Sequence, residues 1–400
     1  MAPSPRSDVD LGRLREVVEH LATIHRPSAS GGEREAAEWL AGRLRELGCT
    51  ATVEKETAHG GYWWPVGLLS GAAALAGVAS LVGARMVGVV MGLLAALGIR
   101  DDIDSGPQVL RHALLPYRPT WNVLAEAGDT TADRTLVVMA HHDAAHSGLV
   151  FHPAPAAALH ARFPQYIEGA KEGIPFWFPV FGGPLLVALG SLLHIKTLVR
   201  VGTFLSIGSA AAMVDIGMRE VVPGANDNLS AVAVLLQLAT ALRDRPLQGL
   251  RVLLLSAGSE ESLQEGILAF ARRHFDELPR DRTWFLNLDT VGSPFLYMVE
   301  GEGVLQMRDY DAAFKELIAD AAMHAGVPLK RDVRARASTD AVVPLKAGYP
   351  TALLVSLTKS KALANYHWPT DTAANVDYET VADCARLTEA VARLLGEALP

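Results

Sequence analysis

Four residues with metal-ligand chemistry, His141, His142, Asp143 and His146, follow directly after the apolar run Leu136–Ala140. The run has the length of a buried parallel strand, and open α/β sheets bind ligands beyond the carboxyl ends of their strands. We therefore predict that His141 is a metal ligand at a strand end. A ligating imidazole usually donates its other N–H to a carboxylate, so Asp143 is predicted to orient it. Taken alone, the stretch also fits a surface loop that contains several histidines.

Further acids and one histidine follow later strand-like or loop segments: Asp227, Glu260, Glu261, Asp289 and His367. Each has an ordinary structural explanation alone, as a turn residue, a helix-start acid or a packed histidine. Together with His141 they supply two imidazoles, three carboxylate ligands and a spare carboxylate. That set matches a two-metal hydrolytic site, in which one carboxylate bridges the ions and a free glutamate takes a proton from water.

Composition narrows the possible classes of protein. The 400-residue chain has a net charge of −8, which argues against nucleic-acid binding. Half of its residues are hydrophobic, which suggests contact with a membrane. Its two cysteines, Cys49 and Cys384, are far apart in the sequence, so neither a thiolate metal site nor a disulfide framework is expected. The first sixty residues lack the apolar stretch of a signal peptide.

Helix-like and strand-like segments alternate along most of the chain, as in α/β proteins. The predicted helices are 9–26, 33–47, 229–242, 262–274, 311–325 and 378–395. The predicted strands are 50–56, 121–127, 136–140, 251–256, 283–288 and 351–357. Because several of these strands are apolar throughout, we expect a mixed, mostly parallel sheet flanked by helices.

Two long apolar segments, 62–99 and 174–218, interrupt this pattern. Each has the length of a helical hairpin with aromatic residues at its start, which is typical of membrane-spanning segments. The first is predicted to turn near Gly83–Arg85 and the second to pair 176–193 with 198–213. A buried pair of core helices is the alternative for the first. Because each hairpin returns to the side on which it began, we predict one domain, 1–400, with both hairpins as insertions.

Five segments resemble, in order, the successive metal-site blocks of the co-catalytic di-zinc aminopeptidases. The segments are MAHHDAAHSG, VPGANDNLSAVAVLLQLA, LLLSAGSEES, FLNLDTVG and NYHWPTDT. That group includes aminopeptidases S and Y and the relatives of glutamate carboxypeptidase II. The amphipathic N-terminal helices and Ser338-Thr339-Asp340 ahead of AGYPTALL agree as well. The resemblance implies the zinc exopeptidase fold and two Zn²⁺ ions per chain.

Carried over residue by residue, the resemblance implies a role for each site residue. His141 and Asp289 would bind one zinc, Glu261 and His367 the other, Asp227 would bridge them, Glu260 would be the general base, Asp143 would orient His141, and Asp371 would act similarly near His367. The chain departs from the family at His142, where tyrosine or leucine is more usual, so the choice of His141 follows from register. It also departs in the long interval between Asp143 and Asp227, which holds the second hairpin.

We therefore predict a membrane-anchored exopeptidase, an aminopeptidase that hydrolyses N-terminal residues with metal-activated water. Its expected partners are a peptide substrate and the lipid bilayer, and no nucleic acid. A carboxypeptidase would need a basic pocket, for which the candidates are Lys346, Arg331, Arg334 and Arg336. A glutaminyl cyclase would use a single zinc. An inactive membrane scaffold would typically lack a ligand or the general base, and this sequence lacks neither. The expected location is the cell membrane, with about four spans. Arg85, Lys196 and Arg200 at the hairpin tips favour a catalytic domain outside the cell, whereas the basic residues of the flanks and of the N-terminal region favour a cytoplasmic one, towards which we lean.

Overall fold

The computed structural model describes residues 9–173 and 175–397, which contain a nine-stranded mixed sheet. The strands are β1 (Thr50–Ala58), β2 (Arg118–Gly128), β3 (Thr135–His141), β4 (Arg251–Ala257), β5 (Thr283–Asp289), β6 (Phe295–Glu302), β7 (Arg308–Asp309), β8 (Lys330–Ala335) and β9 (Thr351–Leu357). Their order is β1-β2-β4-β3-β5-β9-β6-β7, with β8 paired to β6. The central strands β4, β3, β5 and β9 run parallel, and antiparallel pairs continue the sheet on both sides.

Fourteen helices accompany the sheet in the described residues. They are α1 (Leu11–Ala22), α2 (Gly31–Glu46), α3 (Trp63–Leu81), α4 (Arg85–Ile103), α5 (Val109–Leu114), α6 (Pro153–Arg162), α7 (Pro164–Gly169), α8 (Trp177–Leu192), α9 (Lys196–Met218), α10 (Ser230–Asp244), α11 (Glu265–His274), α12 (Ala312–Ala325), α13 (Val342–Lys346) and α14 (Tyr378–Glu397). The mixed α/β fold with a parallel centre agrees with the sequence prediction.

The central strand β3 is buried on both faces because its apolar side chains alternate between two cores. Leu136 and Val138 pack into the larger core with α1, α2, α10, α12 and α14. Val137 and Met139 face the smaller core formed with α11 and α13. This two-sided burial explains why the run is apolar without interruption.

Helices α3, α4, α8 and α9 form a separate four-helix bundle that corresponds to the two predicted hairpins. Small residues let the helix backbones approach closely. A Cβ on Gly92 would lie 2.9 Å from the carbonyl oxygen of Pro184, and one on Gly202 would lie 2.6 Å from that of Gly183. Across the bundle, the Ser191 hydroxyl donates to that of Ser80 at 2.7 Å. Small interface residues and interhelical hydroxyl bonds are typical of helices that pack within membranes.

The outward faces of the bundle are apolar. Leu75 and Phe204 are each 74% exposed, and Met86 is 68% exposed. In the described part of the chain, α3 and α9 are long and apolar enough to cross a membrane. Helix α4 carries charged residues in its last turn, and α8 has only 16 residues. Of the four expected spans, only α3 and α9 are therefore supported within the described residues. The start predicted for the second hairpin, Ile174, lies outside the described residues.

Candidate metal centre

All six residues predicted to bind metal or to act as general base meet at the carboxyl edge of the parallel strands. His141 ends β3, Glu260 and Glu261 follow β4, and Asp289 ends β5. Asp227 lies in the loop before α10, and His367 lies in the loop after β9. The parallel centre of the sheet therefore brings together residues that are more than 200 positions apart in the chain.

The Asp227 carboxylate lies between two groups of potential metal ligands. Its Oδ1 is 3.2 Å from Nε2 of His141, and its Oδ2 is 3.3 Å from Nε2 of His367. Ligand atoms of His141, Asp227 and Asp289 all lie within 4.8 Å of one another. The same holds for Asp227, Glu261 and His367, where the Glu261 Oε2 is 3.1 Å from the His367 Nε2. This arrangement matches the predicted division of ligands, although the metal-binding roles themselves stay predictions.

Glu260 lies beside both groups and belongs to neither of the predicted ligand pairs. Its Oε2 is 4.0 Å from Nε2 of His141, and its Oε1 accepts a hydrogen bond from the Gln264 side chain at 3.1 Å. His141, Glu260 and Glu261 also lie close enough to form a further potential metal group. The position of Glu260 suits a carboxylate that moves protons next to a metal pair.

The two other histidines of the opening motif belong to none of the groups of potential metal ligands in the described residues. Burial lowers the pKa of His142 to about 4, and its Nδ1 lies 2.9 Å from the Ser256 hydroxyl. The Nδ1 of His146 lies 2.8 Å from the carbonyl oxygen of Arg219. Because side chains alternate along a strand, neighbouring His141 and His142 face opposite ways, in agreement with the register used for the prediction.

Asp143 and Asp371 hold the backbone of the site loops. Nδ1 of His141 is 3.4 Å from Oδ1 of Asp143, and the same carboxylate accepts the backbone N–H groups of Glu260 and Glu261, each at 3.1 Å. Asp371 was predicted to orient His367. Instead, its carboxylate accepts the N–H groups of Asn226 and Asp227, at 2.7 and 3.1 Å. Asp371 therefore positions the loop that carries the central carboxylate.

Three site positions have left-handed backbone conformations. The φ angles are 51° at Ser259, 52° at Thr290 and 49° at His367. Such conformations cost a non-glycine residue roughly 1–3 kcal/mol and concentrate at functional sites. Here they lie at His367 itself and immediately beside Glu260 and Asp289, so the fold holds the ligand loops in unfavourable shapes.

A buried glutamate at the start of α2, which the sequence analysis did not single out, fixes the loop before Glu260. The Glu33 carboxylate accepts hydrogen bonds from the N–H groups of Ala29, Trp121 and Ser259, at 2.7, 3.0 and 3.1 Å. It also accepts the hydroxyls of Thr120 at 2.6 Å and Ser259 at 3.0 Å. All five partners are donors, so the carboxylate ties the N-terminal helices to the loop that carries the general-base candidate.

Replacing Glu33 by glutamine should destabilise the protein and slow catalysis. The amide NH₂ would face N–H and O–H donors, and a buried donor without an acceptor costs about 1–3 kcal/mol. We expect a loss of about 2–4 kcal/mol in the free energy of unfolding, since more than one hydrogen bond to this buried carboxyl group is affected. Denaturant unfolding of E33Q measures the loss. The exposed neighbour variant E35Q is the control, and equal stability of the two variants would contradict this role for Glu33.

Arg26 is a second buried organiser that the sequence analysis missed. Its guanidinium donates to the carbonyl oxygens of His142, Pro223 and Gly224, at 2.8, 2.7 and 2.8 Å. It thus joins the loop after β3 to the loop that contains Asp227. Neither Arg26 nor Glu33 belongs to a recognisable motif, because a long-range partner on another segment leaves no local pattern.

The first hairpin is also joined to the general-base loop. The fully buried Arg111 donates to Asp102 at 2.9 Å and to the carbonyl oxygen of Ser262. The Gln108 side chain donates to the carbonyl of Leu263 at 3.3 Å. The soluble end of the hairpin is therefore part of the wall that supports residues 259–265.

The electrostatics of the centre are dominated by buried acids. Burial and the neighbouring Asp227 raise the pKa of Asp289 to about 7. Burial alone would lower the pKa of His367, but the Glu261 and Asp227 carboxylates raise it to about 10. Burial likewise opposes protonation of His141, whose pKa is nevertheless held well above its usual value by Asp143 and Asp227. The acids thus hold protons on both imidazoles.

This excess of buried negative charge fits a divalent cation. Oε1 of Glu261 and Nδ1 of His367 are buried without hydrogen-bond partners in the described residues, and both oxygens of Asp340 are too. Mixed imidazole and carboxylate donors are the set that Zn²⁺ takes at catalytic sites. The residues therefore fit the expected metal.

Metal binding should release protons, because His141 and His367 must lose theirs to coordinate a metal ion. Since the pKa of His367 is raised to about 10 and that of His141 is held well above its usual value, the affinity should rise with pH, by up to about tenfold per pH unit for each proton released. Below pH 7 a proton on Asp289 adds to the effect. Calorimetric zinc titrations near pH 7, in buffers of different ionisation enthalpy, should show about two protons released per filled chain. Zinc binding without proton release would contradict this description.

The sheet and the acids and histidines at its edge have the arrangement expected of a zinc metallopeptidase. Residues 211–392 match the family described as peptidase family M28. This match supports a zinc metallopeptidase and agrees with the resemblance carried by the five sequence motifs. No curated protein matches the sequence.

Solved structures show the same fold at low sequence identity. An aminopeptidase from Aneurinibacillus sp. strain AM-1 is 15% identical with a TM-score of 0.55, over 96% of this chain and 93% of that one. A zinc aminopeptidase from Bacillus subtilis is 15% identical with a TM-score of 0.54, over 96% and 94%. A glutaminyl cyclase from Tannerella forsythia is 14% identical with a TM-score of 0.55, over 96% and 98%. These neighbours, which share one fold, therefore include both aminopeptidases and a glutaminyl cyclase.

Proposed function

We propose that this chain is a membrane-anchored aminopeptidase that holds two zinc ions. The observation that carries the proposal is the position of the Asp227 carboxylate between two ligand groups, with Glu260 left over beside them. His141 and Asp289 would complete one zinc site, and Glu261 and His367 the other. Zinc is favoured by this donor set and by the zinc aminopeptidase among the structural neighbours.

A small cavity beside Glu261 and His367 supports cleavage at a chain end. Tyr62, Trp63 and Ile216 line it on the side of the helical bundle. Because helices wall this side of the centre, a peptide chain could not continue in this direction beyond the residue that lies next to it. The free oxygen of Glu261 is an acceptor suited to an ammonium group, so an amino terminus is the better match.

The basic residues considered for a carboxypeptidase are engaged elsewhere. Arg331 pairs with Glu300 at 2.9 Å, Arg336 pairs with Glu172 at 2.8 Å, and Lys346 pairs with Asp104 at 3.2 Å. Arg334 pairs with Asp309. None of these pairs includes a predicted site residue. This observation favours recognition of an amine over recognition of a terminal carboxylate.

Glu260 is the residue that moves protons in the proposed reaction. Bound zinc ions would lower the pKa of water and polarise the scissile carbonyl. Burial and the acids Asp340, Glu261 and Asp289 raise the pKa of Glu260 well above its ordinary value, against the effect of His141. A carboxylate with a raised pKa accepts a proton from water more readily and can deliver it to the leaving amine. The Gln264 side chain and the Asp143 carboxylate hold Glu260 in position.

Membrane anchoring is proposed through the four-helix bundle. Helices α3 and α9 have the length and composition of spans, and the exposed apolar residues of all four helices lie on the outside of the bundle. Since the chain enters and leaves the bundle on the side of the sheet, α4 and α8 would complete the return crossings, giving about four spans. In this proposal residues 1–400 form one domain with two inserted hairpins, and the sheet lies on the cytoplasmic side of the membrane.

Detergent-purified protein, loaded with zinc, tests the proposal against a small panel of substrates. Aminoacyl anilides and peptides with a free amino terminus should be hydrolysed, and the same peptides with an acetylated amino terminus should not. Cleavage of acetylated peptides from the carboxyl end would replace the proposal with a carboxypeptidase. Cyclisation of N-terminal glutaminyl peptides without hydrolysis would replace it with a cyclase, and no turnover in the presence of bound zinc would replace it with a scaffold.

A further inference from the structure

The cavity beside the metal centre is walled by the ends of the membrane helices. Tyr62 and Trp63 lie at the start of α3, and Ile216 lies in the last turn of α9. Glu261 and His367 form the opposite wall. The cavity therefore lies between the predicted ligands of one metal ion and the two helices that have the properties of membrane spans.

Direct packing joins these wall residues to the site. The Trp63 ring lies 4.5 Å from the ring of His146, and its Nε1–H is buried without an acceptor in the described residues. A Cβ on Gly217 would lie 2.4 Å from the Trp63 ring, so this glycine lets α9 approach α3. Tyr62 and Ile216 belong to one apolar cluster with residues from all four bundle helices. The wall of the cavity is thus continuous with the interior of the bundle.

The rim of the site, residues 149–173 and 175–178, carries exposed apolar side chains. Leu149 is 59% exposed and Tyr166 is 80% exposed, while Phe163 and Phe176 are each 50% exposed. The same segment contacts the metal centre, because the Phe151 ring lies 4.6 Å from the ring of His367. Exposed aromatic and apolar residues beside membrane helices are typical of the lipid–water interface.

We propose that the natural substrates are membrane-bound polypeptides whose amino-terminal residue lies at the lipid–water interface. This inference rests on the proposed aminopeptidase function and membrane anchoring. The ends of spanning helices line one side of the centre, which places the reacting amino terminus near the depth at which those helices leave the bilayer. A substrate anchored close to its amino terminus reaches that depth without leaving the membrane, and its first side chain meets the apolar wall of Tyr62, Trp63 and Ile216.

The length of the spacer between the anchor and the amino terminus gives a geometric test. The full-length zinc-loaded protein is reconstituted into phosphatidylcholine–phosphatidylglycerol vesicles. Three peptides share one N-terminal sequence that begins with leucine. One has a C-terminal transmembrane helix after a spacer of about 5 residues, one has the same helix after about 25 residues, and one is soluble. Since an extended residue spans at most about 3.3–3.6 Å, the short spacer reaches only about 18 Å from the surface.

We expect the short-spacer peptide to be cleaved at least as fast as the long-spacer peptide, and about tenfold or more faster than the soluble peptide at equal total concentration. Both anchored peptides have the same surface concentration, so their ratio reports the height of the site. Cleavage of the long-spacer and soluble peptides but not of the short-spacer peptide would overturn the inference. Equal rates for all three would overturn it as well.

The leucyl anilide separates this inference from the function on which it rests. If no free-amine substrate is hydrolysed, the aminopeptidase proposal fails. If the anilide is hydrolysed but the anchored peptides show no advantage, only the inference about membrane-bound substrates fails. If the advantage appears only when another protein is added, the rim binds a partner protein, and the inference fails in that case too.

A matched pair of tryptophan variants tests the wall itself. Trp63 lines the cavity, whereas the neighbouring Trp64 is 46% exposed and does not line it. Trp63→Phe should lower kcat/KM for leucine-initiated anchored peptides about tenfold and shift the preference for the first residue, with the zinc content unchanged. Trp64→Phe should leave the preference unchanged. An identical residue preference in both variants would overturn the role of Trp63 in the wall.

Discussion

Replacement of Glu260 by glutamine is expected to lower kcat by about 10²–10⁴-fold while leaving the zinc content unchanged. Glutamine retains the size of the side chain but cannot accept the proton that water must lose. Glu260 lies outside both predicted ligand pairs, and its Oε2 is 4.0 Å from Nε2 of His141. Removing its charge should therefore not release the metal ions. Metal analysis and single-turnover kinetics on the same preparation measure the two effects separately.

The exposed variant E277Q controls for a general effect of losing one negative charge. A second variant, Glu260→Asp, keeps the carboxylate but withdraws it from the site, and should fall between the wild type and E260Q. Activity of E260Q within about threefold of the wild type would remove Glu260 from the reaction. Loss of zinc together with activity would make Glu260 a metal ligand.

Substitution of Asp227 by alanine should remove both ions and abolish hydrolysis. Its two carboxylate oxygens face different imidazoles, at 3.2 and 3.3 Å, so one side chain serves both ligand groups. Without it, each group retains only one imidazole and one carboxylate, which is too few for a stable zinc site. Zinc content measured after dialysis should fall from about two per chain to near zero.

Variants that remove a ligand of only one ion are the comparison for Asp227→Ala. Asp289→Asn should weaken only the ion held with His141, and His367→Ala only the ion held with Glu261, so each should retain about one zinc per chain. The exposed variant Asp276→Asn should retain two. If Asp227→Ala also retains one ion, the carboxylate does not bridge.

The central sheet could be predicted because its signals are local. The strands β3, β4, β5 and β9 are apolar runs that end abruptly, and β9 was predicted with the bounds that the structure has. Because parallel strands place their carboxyl ends at one edge, the order of the motifs was enough to bring the six site residues together.

The edge beyond β9 was not predicted, because its strands lack that signal. Strand β8, Lys330–Ala335, is mostly charged, and β6 pairs with it through register shifts. Residues 62–99 contain α3 and most of α4, and α4 continues to Ile103 past Asp102, which pairs with Arg111. Such a pairing depends on tertiary contacts and leaves no periodic pattern.

Within the site, the sequence predicted which residues meet but not what holds them. The prediction that Asp371 orients His367 was wrong, because a carboxylate in a loop can accept a hydrogen bond from any nearby N–H. Only the folded chain shows that the donors are the N–H groups of Asn226 and Asp227. Glu33 resembled an ordinary helix-start acid, yet it holds the loop before Glu260. Supporting residues of this kind are fixed by distant partners rather than by spacing.

The most direct test of the account is anomalous diffraction at the zinc edge from crystals of the full chain grown with zinc. The account predicts two peaks about 3.5–4 Å apart, one on each side of the Asp227 carboxylate. One peak would lie beside His141 and Asp289, and the other beside Glu261 and His367. A single peak, or zinc bound away from Asp227, would contradict the two-ion centre and with it the proposed chemistry.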